Sequence, residues 1–293
     1  MSGVSGLEAA STVFLTMSGT LVVLLVVSVV GLRVWRWLAD AASRRRSEWA
    51  RGFLLRVLDG EDPRPPVGRG RRRAVAEGAA RLSGKVTGAD HVALAEWLTG
   101  SGYRQRAVQM MASPFALSRT RGARLFAACL VDRETRPLLD LLHDRDVRVR
   151  MTAARALGEC RLDTAVPYLV RAAGSPDRPL PLSVAAVAII RTRPRTARGL
   201  GMAWSSPEPA VAAMAADVAG HLNLADARGA LEQAVGSDSA HLAAASARAL
   251  ARLGDPRSAA PVAARLARGD LLRVDADVLE AALVELGGEV SAP

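Results

Sequence analysis

Cysteine, the residue that builds disulfide frameworks, is scarce in this chain. Its 293 residues include only two cysteines, Cys129 and Cys160, which stand 31 positions apart at the ends of apolar helix faces. Two such cysteines do not support a disulfide framework and predict buried thiols in a reducing compartment. Lysine is nearly absent, since Lys85 stands alone beside 38 arginines, and this composition is typical of a GC-rich bacterial genome.

The four histidines lack the neighbours that metal chemistry would require. His91, His143, His221 and His241 have no cysteine or carboxylate at metal-ligand spacing. The chain also has no phosphate-binding glycine loop and no nucleophile elbow. The sequence therefore predicts a protein that is not an enzyme, with no cofactor, no metal site and no catalytic residue.

Aromatic residues are scarce as well, at 4% of the chain, and this bears on nucleic-acid binding. A groove for nucleic acid combines dense positive charge with stacking aromatic side chains. Residues 86–293 carry a net charge of only +3, and their tryptophans, Trp97 and Trp204, are isolated. A nucleic-acid partner is therefore not favoured.

What the chain does contain is an internal repeat of 31 residues. One register holds alanine five times without a gap, and a second register, about fifteen residues later, holds a large aliphatic residue each time. A period of this length is the signature of a chain built by stacking one small unit. The first register is Ala123, Ala154, Ala185, Ala216 and Ala247, and the second is Leu138, Leu169, Leu200, Leu231 and Val262.

The spacing within a unit predicts helices. Val149, Ala153, Ala156 and Leu157 recur at the three-and-four spacing of one helix face. Each unit is therefore predicted to be a pair of helices, of which the first carries the aliphatic register and the second the alanine register. Alanine lets neighbouring helices approach closely, and leucine fills the space between the layers.

One unit resembles the HEAT repeat family, including its shorter bacterial variety. The resemblance rests on Asp144 to Arg150, Ala153-Ala154, Ala156 to Gly158, Ala165 to Pro167 and Leu169, and it extends over about residues 115–270. It implies an all-α fold, namely an α-solenoid of HEAT-like helical pairs, and it implies that Asp144 and Arg150 bond between adjacent units. Ala212 and Ala243 replace that arginine in later units.

A long uncharged segment near the start predicts a membrane anchor. No charge occurs from Ala9 to Leu32, a segment that includes Leu21 and Val26, and only Glu8 precedes it. Twenty-four helical residues reach about 36 Å, whereas the hydrocarbon layer is about 30 Å thick. A cleaved signal would need basic residues before the apolar run, so a retained transmembrane helix is predicted.

The residues after this segment predict its orientation. Arginines and two tryptophans follow the apolar run, in the positions of a positive flank and an aromatic belt. They predict a single-pass protein of the bacterial plasma membrane with its N-terminus outside and its repeats in the cytoplasm. Residues 33–85 carry a net charge of +8, which indicates contact with the anionic lipid bilayer or, alternatively, a solvated linker. The flanking residues are Arg33, Trp35, Arg36, Trp37, Arg44, Arg45 and Arg46.

These patterns divide the chain into six predicted segments. They are an extracytoplasmic tail (1–8), the transmembrane helix (9–32), a basic juxtamembrane helix with a Pro/Gly linker (33–70), irregular N-terminal capping helices (71–114), five repeats (115–270), and a C-terminal capping helix with its tail (271–293).

The second helices are predicted to form the binding surface, because they line the concave side in HEAT-like solenoids. The candidate partner-binding residues are Arg121, Arg124, Arg148, Thr152, Arg155 and Arg248. The alternative interpretation is a solvated face with intrahelical pairs, such as Arg155 with Glu159.

We therefore expect a membrane-tethered scaffold or adaptor that binds a protein partner, either an acidic segment or a neighbouring membrane protein. The alternative comes from the resemblance, because some HEAT-like proteins are phycobilin lyases and some related solenoids are DNA glycosylases with an arginine-lined groove. The oligomeric state stays open.

Overall fold

The computed structural model describes residues 4–130 and 134–288, with the side chains in these ranges except those of residues 4–24, 26 and 38. The described residues form fifteen α-helices and contain no strand, so the all-α prediction is confirmed. The helices are α1 (Val4–Leu58), α2 (Arg69–Leu82), α3 (Ala89–Gly100), α4 (Tyr103–Met111), α5 (Ala116–Ala128), α6 (Arg136–Asp140), α7 (Val147–Glu159), α8 (Val166–Ala173), α9 (Leu182–Thr192), α10 (Gly201–Trp204), α11 (Pro209–His221), α12 (Arg228–Val235), α13 (Ala240–Leu253), α14 (Ala259–Leu266) and α15 (Arg273–Glu285).

From α4 onwards the helices form two layers. Helices α5, α7, α9, α11, α13 and α15 pack side by side in that order, and we call them the second layer. The shorter helices between them form the first layer, in which α8 contacts α10 and α12 contacts α14. Each unit thus contributes one helix to each layer, which is the architecture that the 31-residue period predicts.

Both repeat registers lie in the core, as predicted. Every alanine of the first register lies in a second-layer helix and is 0% exposed. Every aliphatic residue of the second register lies in the first-layer half of its unit and is also 0% exposed. Small residues therefore occupy the contacts between second-layer helices, and large ones fill the space between the layers.

A buried ion pair joins the first two of these units. Arg119 on α5 donates from Nε and Nη2 to the two carboxylate oxygens of Asp144, at 2.7 and 2.8 Å, and both side chains are 8% exposed. Arg150, which occupies the next equivalent position, donates to the carbonyl oxygen of Pro179 in the following unit. Asp144 and Arg150 thus each bond to an adjacent unit, but Arg119 is the partner of Asp144.

The two cysteines are free thiols. Cys129 is buried at the end of α5, and Cys160 is partly buried after α7. Burial raises the pKa of each thiol to about 12, which keeps both protonated at neutral pH.

Helix α1 runs without a break from Val4 to Leu58. Among the residues that the structure describes, no helix is apolar over a length that could cross a membrane. The predicted single-pass placement in the bacterial plasma membrane, with the N-terminus outside and the repeats in the cytoplasm, is therefore wrong. The transmembrane helix predicted over residues 9–32 is not supported.

The last turns of α1 begin the packed part of the molecule. Phe53, Leu54 and Val57 are buried against α2 and α3, and the indole of Trp97 on α3 donates to the carbonyl oxygen of Pro63 at 3.1 Å. Helix α2 then contacts α5. This arrangement covers the first unit of the solenoid, although the predicted segment boundaries stay predictions.

Candidate partner-binding surface

Three second-layer helices bring arginines together around one carboxylate. Arg124 on α5, Arg155 on α7 and Arg191 near the end of α9 all act electrostatically on Glu159, the last residue of α7. Arg191 forms an ion pair with Glu159, with 3.6 Å between Nη1 and Oε1. We call these four residues the arginine cluster. It holds three positive charges and one negative charge, so it retains an excess positive charge.

Glu159 only partly neutralises its neighbours. Burial raises the pKa of its carboxyl group above the ordinary value, and the attraction of Arg191, Arg124 and Arg155 offsets only part of this effect. Within the described part of the chain, neither Arg124 nor Arg155 has a salt bridge within 4 Å, and both are exposed. Their guanidinium groups are thus available to an acidic ligand.

The loop between α2 and α3 reaches this cluster. A Cβ atom on Gly84 would lie 3.5 Å from the carboxyl carbon of Glu159, so the loop passes directly beside α7. Its next residue, Lys85, lines a cleft between α1 and α2 with a volume of about 780 Å³. The loop therefore connects the arginine cluster to a second basic surface.

The cleft has small residues where its two helices approach and cations along its walls. A Cβ atom on Gly78 would lie 2.8 Å from the side chain of Leu54, so α1 and α2 lie close together here. The acids Glu48 and Glu77 also line the cleft, and Arg73 donates to Glu77 at 2.8 Å. The cations that line it are Arg46, Arg51, Arg73, Arg81 and Lys85.

The residues predicted as a membrane interface lie on α1. All of the described members are exposed, and Arg46 also lines the cleft. Contact of these arginines with lipid stays a prediction. Leu21 and Val26 lie outside the described side chains. The exposed members are Arg33, Trp35, Arg36, Trp37, Arg44, Arg45 and Arg46.

The predicted groove residues differ in what they can offer a ligand. Arg124 and Arg155 join the arginine cluster, and Arg121 is half-buried beside Arg124 on α5. Arg148 donates to the carboxylate of Asp146, at 3.3 Å from Nη2 to Oδ2, and is therefore partly neutralised.

The other two predicted residues lie apart from an accessible cationic surface. Thr152 is buried and its hydroxyl donates to the carbonyl oxygen of Arg148 at 2.8 Å. Arg248, three units away, forms an ion pair of 3.3 Å with Asp217 on the preceding second-layer helix. We therefore restrict the candidate surface to the arginine cluster.

Sequence reasoning missed Arg191 and assigned Glu159 only as a partner of Arg155. Arg191 follows Glu159 by 32 residues, one more than the period, so it falls outside the aligned registers. A search for opposite charges one period apart, with a tolerance of one residue, could have found the pair.

Comparisons with solved structures find several distant helical similarities. The chain is 16% identical to an engineered protein, with a TM-score of 0.37 over 82% of this chain and 97% of the other. It is 16% identical to human deoxyhypusine hydroxylase, with a TM-score of 0.29 over 85% and 99%. It is 17% identical to the complex of CpcE and CpcF of phycocyanin lyase from Nostoc, with a TM-score of 0.31 over 73% and 89%. These values carry no functional argument.

No similar protein is found among those with curated descriptions. The sequence profile of HEAT repeats matches residues 103–190 and 199–283, more than half of the chain. The matched range reaches beyond the predicted repeats at both ends and coincides with the layered helices from α4 to α15. The chain belongs to the HEAT repeat family.

Proposed function

We propose that this protein is a non-catalytic scaffold that binds an acidic segment of a protein partner at the arginine cluster. The observation that carries the proposal is the exposure of Arg124 and Arg155 on adjacent second-layer helices, with Arg191 beside them. Among the described residues, Glu159 is the one counter-charge that joins them. Solenoids of this kind bind their partners along surfaces that several repeats build together.

The spacing of the helices indicates the form of the ligand. Packed helices lie about 8–10 Å apart, so three adjacent second-layer helices spread the cluster over roughly 20 Å. An extended chain advances about 3.3 Å per residue, so roughly six residues would cover this distance. We therefore expect a segment with an acidic side chain at about every third residue.

A defined peptide tests the proposal directly. The probe is a fluorescent peptide with glutamate at every third position among glycine and serine, measured by anisotropy at low salt. Replacing the three arginines of the cluster by glutamate (Arg124→Glu, Arg155→Glu, Arg191→Glu) should weaken binding by about tenfold or more, equivalent to about 1.4 kcal/mol or more. Reversal replaces attraction by repulsion at each contact.

A matched variant controls for net charge. Arg136, Arg171 and Arg198 are exposed in the first-layer halves of their units, and reversing all three gives the same change of charge. This control should bind the peptide nearly as well as the original chain. Equal weakening in both triple variants would contradict the assignment to the arginine cluster.

The same assay distinguishes the scaffold proposal from the alternative of a nucleic-acid-binding solenoid. A single-stranded oligonucleotide of equal charge replaces the peptide, over a series of salt concentrations. Tighter binding of the oligonucleotide, with a steep salt dependence, would favour a nucleic-acid-binding solenoid and contradict the scaffold proposal.

A further inference from the structure

The last helix of the second layer has one side that packs and one side that is exposed. Helix α15 contacts α13 and α14, whereas residues at three-and-four spacing on its opposite side are exposed. Val274 and Val284 on this side are 74% and 62% exposed. The terminal helix of a solenoid usually has a polar outer side, so large exposed apolar residues here indicate a contact surface. We call this surface the acidic face, and it consists of Val274, Asp277, Glu280, Ala281, Val284 and Glu285.

The carboxylates of the acidic face are open to the cations of a partner. Asp277, Glu280 and Glu285 are exposed, and none of them forms an ion pair within the ranges that the structure describes. Arg273 is exposed on the same side at the first residue of α15. Three negative charges thus stand against one positive charge.

The cleft between α1 and α2 carries the opposite charge. Five cations and two acids line it, so its excess charge is positive. Arg51, Arg81 and Lys85 are exposed and form no ion pair with any other described residue. A Cβ atom on Gly70 would lie 3.5 Å from Cδ of Arg46, so this arginine reaches from α1 across to the start of α2. The cleft therefore presents cations from both of its walls.

The lengths of the two surfaces also match. The α2 wall of the cleft runs from Gly70 to Leu82, which is about 18 Å of helix. The exposed side of α15 runs from Arg273 to Val284, which is about 17 Å. A groove between two helices is a common binding site for one face of a third helix.

The two surfaces belong to opposite ends of the second layer. Helix α2 contacts α5, the first helix of the layer, and α15 is its last helix. Five helix spacings of about 8–10 Å lie between α5 and α15 along the layer. The acidic face is thus placed to meet the cleft of a second copy rather than the cleft of its own chain.

We propose that copies of this protein associate head to tail, with the acidic face of one copy docked in the cleft between α1 and α2 of the next. Opposite charges select and orient this contact. Each copy in such a pair keeps one surface free, so the association continues into open chains. One helix in a groove buries less than the roughly 1,600 Å² of a standard interface, so the association should be reversible and weakened by salt. The contact does not involve the arginine cluster.

The single lysine of the chain allows a direct test. Lys85 lies in the cleft, and a carbodiimide joins a lysine amine to a carboxylate that touches it. The full-length chain, unlabelled and labelled with a heavy nitrogen isotope, is mixed at low ionic strength, cross-linked and digested. Mass spectrometry should find peptides of mixed isotopic composition that join Lys85 to Asp277, Glu280 or Glu285.

Lys85→Arg is the matched control, because it keeps the charge but removes the reactive amine. This variant should associate like the original chain and give no such cross-link. Mixed-isotope products that join Lys85 only to carboxylates outside the acidic face would overturn the proposal.

Two double variants test whether the contact joins two different surfaces. Arg51→Gln with Arg81→Gln neutralises the cleft, and Asp277→Asn with Glu280→Gln neutralises the acidic face. Each variant alone should self-associate at least about tenfold more weakly in sedimentation equilibrium, because two charges of the contact are lost. An equimolar mixture should form dimers of one chain of each kind and nothing larger, since the one intact face then meets the one intact cleft.

Further outcomes would contradict head-to-tail association. An original chain that stays monomeric at low ionic strength would overturn it without affecting the binding of the acidic peptide at the arginine cluster. Undiminished association of both double variants would overturn it as well. The variant with all three arginines of the cluster reversed should associate like the original chain, and a loss of association there would instead place the second copy at the arginine cluster.

Discussion

Individual glycines determine how closely the second-layer helices approach. A Cβ atom on Gly220 of α11 would lie 2.7 Å from the Cα atom of Ala249 on α13. A Cβ atom on Gly158 of α7 would lie 2.8 Å from the carbonyl oxygen of Ala188 on α9. Both contacts involve backbone atoms, which cannot rotate away as a flexible side chain could, so any larger residue must push two helices apart.

Gly220→Ala should therefore destabilise the protein by about 1–3 kcal/mol, even though alanine is the better helix former. Gly229→Ala is the matched control, because Gly229 also lies in a helix, α12, but a Cβ atom there would have no neighbour within 4 Å. This change should be neutral or stabilising by up to about 1 kcal/mol. Chemical unfolding of the two variants measures the difference. Similar stability of both would show that the helices separate without cost.

At the residue scale, the sequence predicted the core better than the surface. All five alanines of the first register are buried, because a contact that recurs in every unit leaves a period in the sequence. Arg124 and Arg155 stand one period apart and were predicted, but Arg191 lies one residue outside the period and occurs in the cluster only once along the chain. The ion pair of Arg119 with Asp144 also leaves no long period, because Pro181 follows Arg119 and Arg150 in the arginine register and ends it after two units.

At the scale of the elements, the capping of the helix N-termini differs between units. The side chain of Ser239 accepts a hydrogen bond from the N–H of Leu242 at 3.4 Å and caps α13. Glu208 occupies the corresponding position before α11, but its side chain makes no capping bond. The two helices are adjacent in the second layer, so their N-termini provide a comparison within one structural setting.

Ser239→Ala should lower the free energy of unfolding by about 0.5–1 kcal/mol, in the lower part of the range for capping residues because the bond is long. Glu208→Ala should change it by less than about 0.5 kcal/mol, since no capping bond is lost. Urea unfolding followed by helical circular dichroism measures both changes. A loss in Glu208→Ala as large as that in Ser239→Ala would contradict the capping argument.

Helix types and layers were predictable at this scale, but the N-terminal element was not. An apolar run over residues 9–32 predicts a helix, and α1 is helical there. The apolar run does not determine what surrounds that helix, because the same residue types suit contacts with lipid and contacts with protein. The Pro/Gly linker predicts a break in the helical structure. In the structure this break lies only at residues 59–68, after α1, which is a single helix of 55 residues.

At the scale of the whole molecule, ionised aspartates contribute to stability along the solenoid. Hydrogen bonds from Arg119 and from the N–H of Asp146 hold the pKa of Asp144 below its ordinary value, although burial, the largest single influence, acts in the opposite direction. The side chain and N–H of Arg257 lower the pKa of Asp255 to about 2. Arg265 likewise lowers the pKa of Asp270. Each of these groups binds a proton more weakly in the folded chain than in the unfolded one.

This difference predicts instability in acid. An aspartate with a lowered folded pKa contributes its full stabilisation above its unfolded pKa of about 3.9 and loses it as the pH falls through the folded value. Glu159 acts in the opposite direction, because burial raises its pKa, but it is one group against several. The free energy of unfolding should therefore change little above about pH 5 and fall steeply between about pH 4 and pH 2.

A double variant, Asp144→Asn with Asp255→Asn, tests the origin of this loss. Asparagine keeps the shape of each side chain but cannot ionise, so the variant should be less stable than the original chain at pH 7. The two curves should approach each other as the pH falls towards 2, because protonation of the original aspartates then weakens their ionic bonds to Arg119 and Arg257. Urea unfolding at intervals from pH 7 to pH 2 measures the separation. If the separation stayed constant over this range, the two aspartates would act by shape and hydrogen bonding alone, and the acid sensitivity of the solenoid would have to come from other groups.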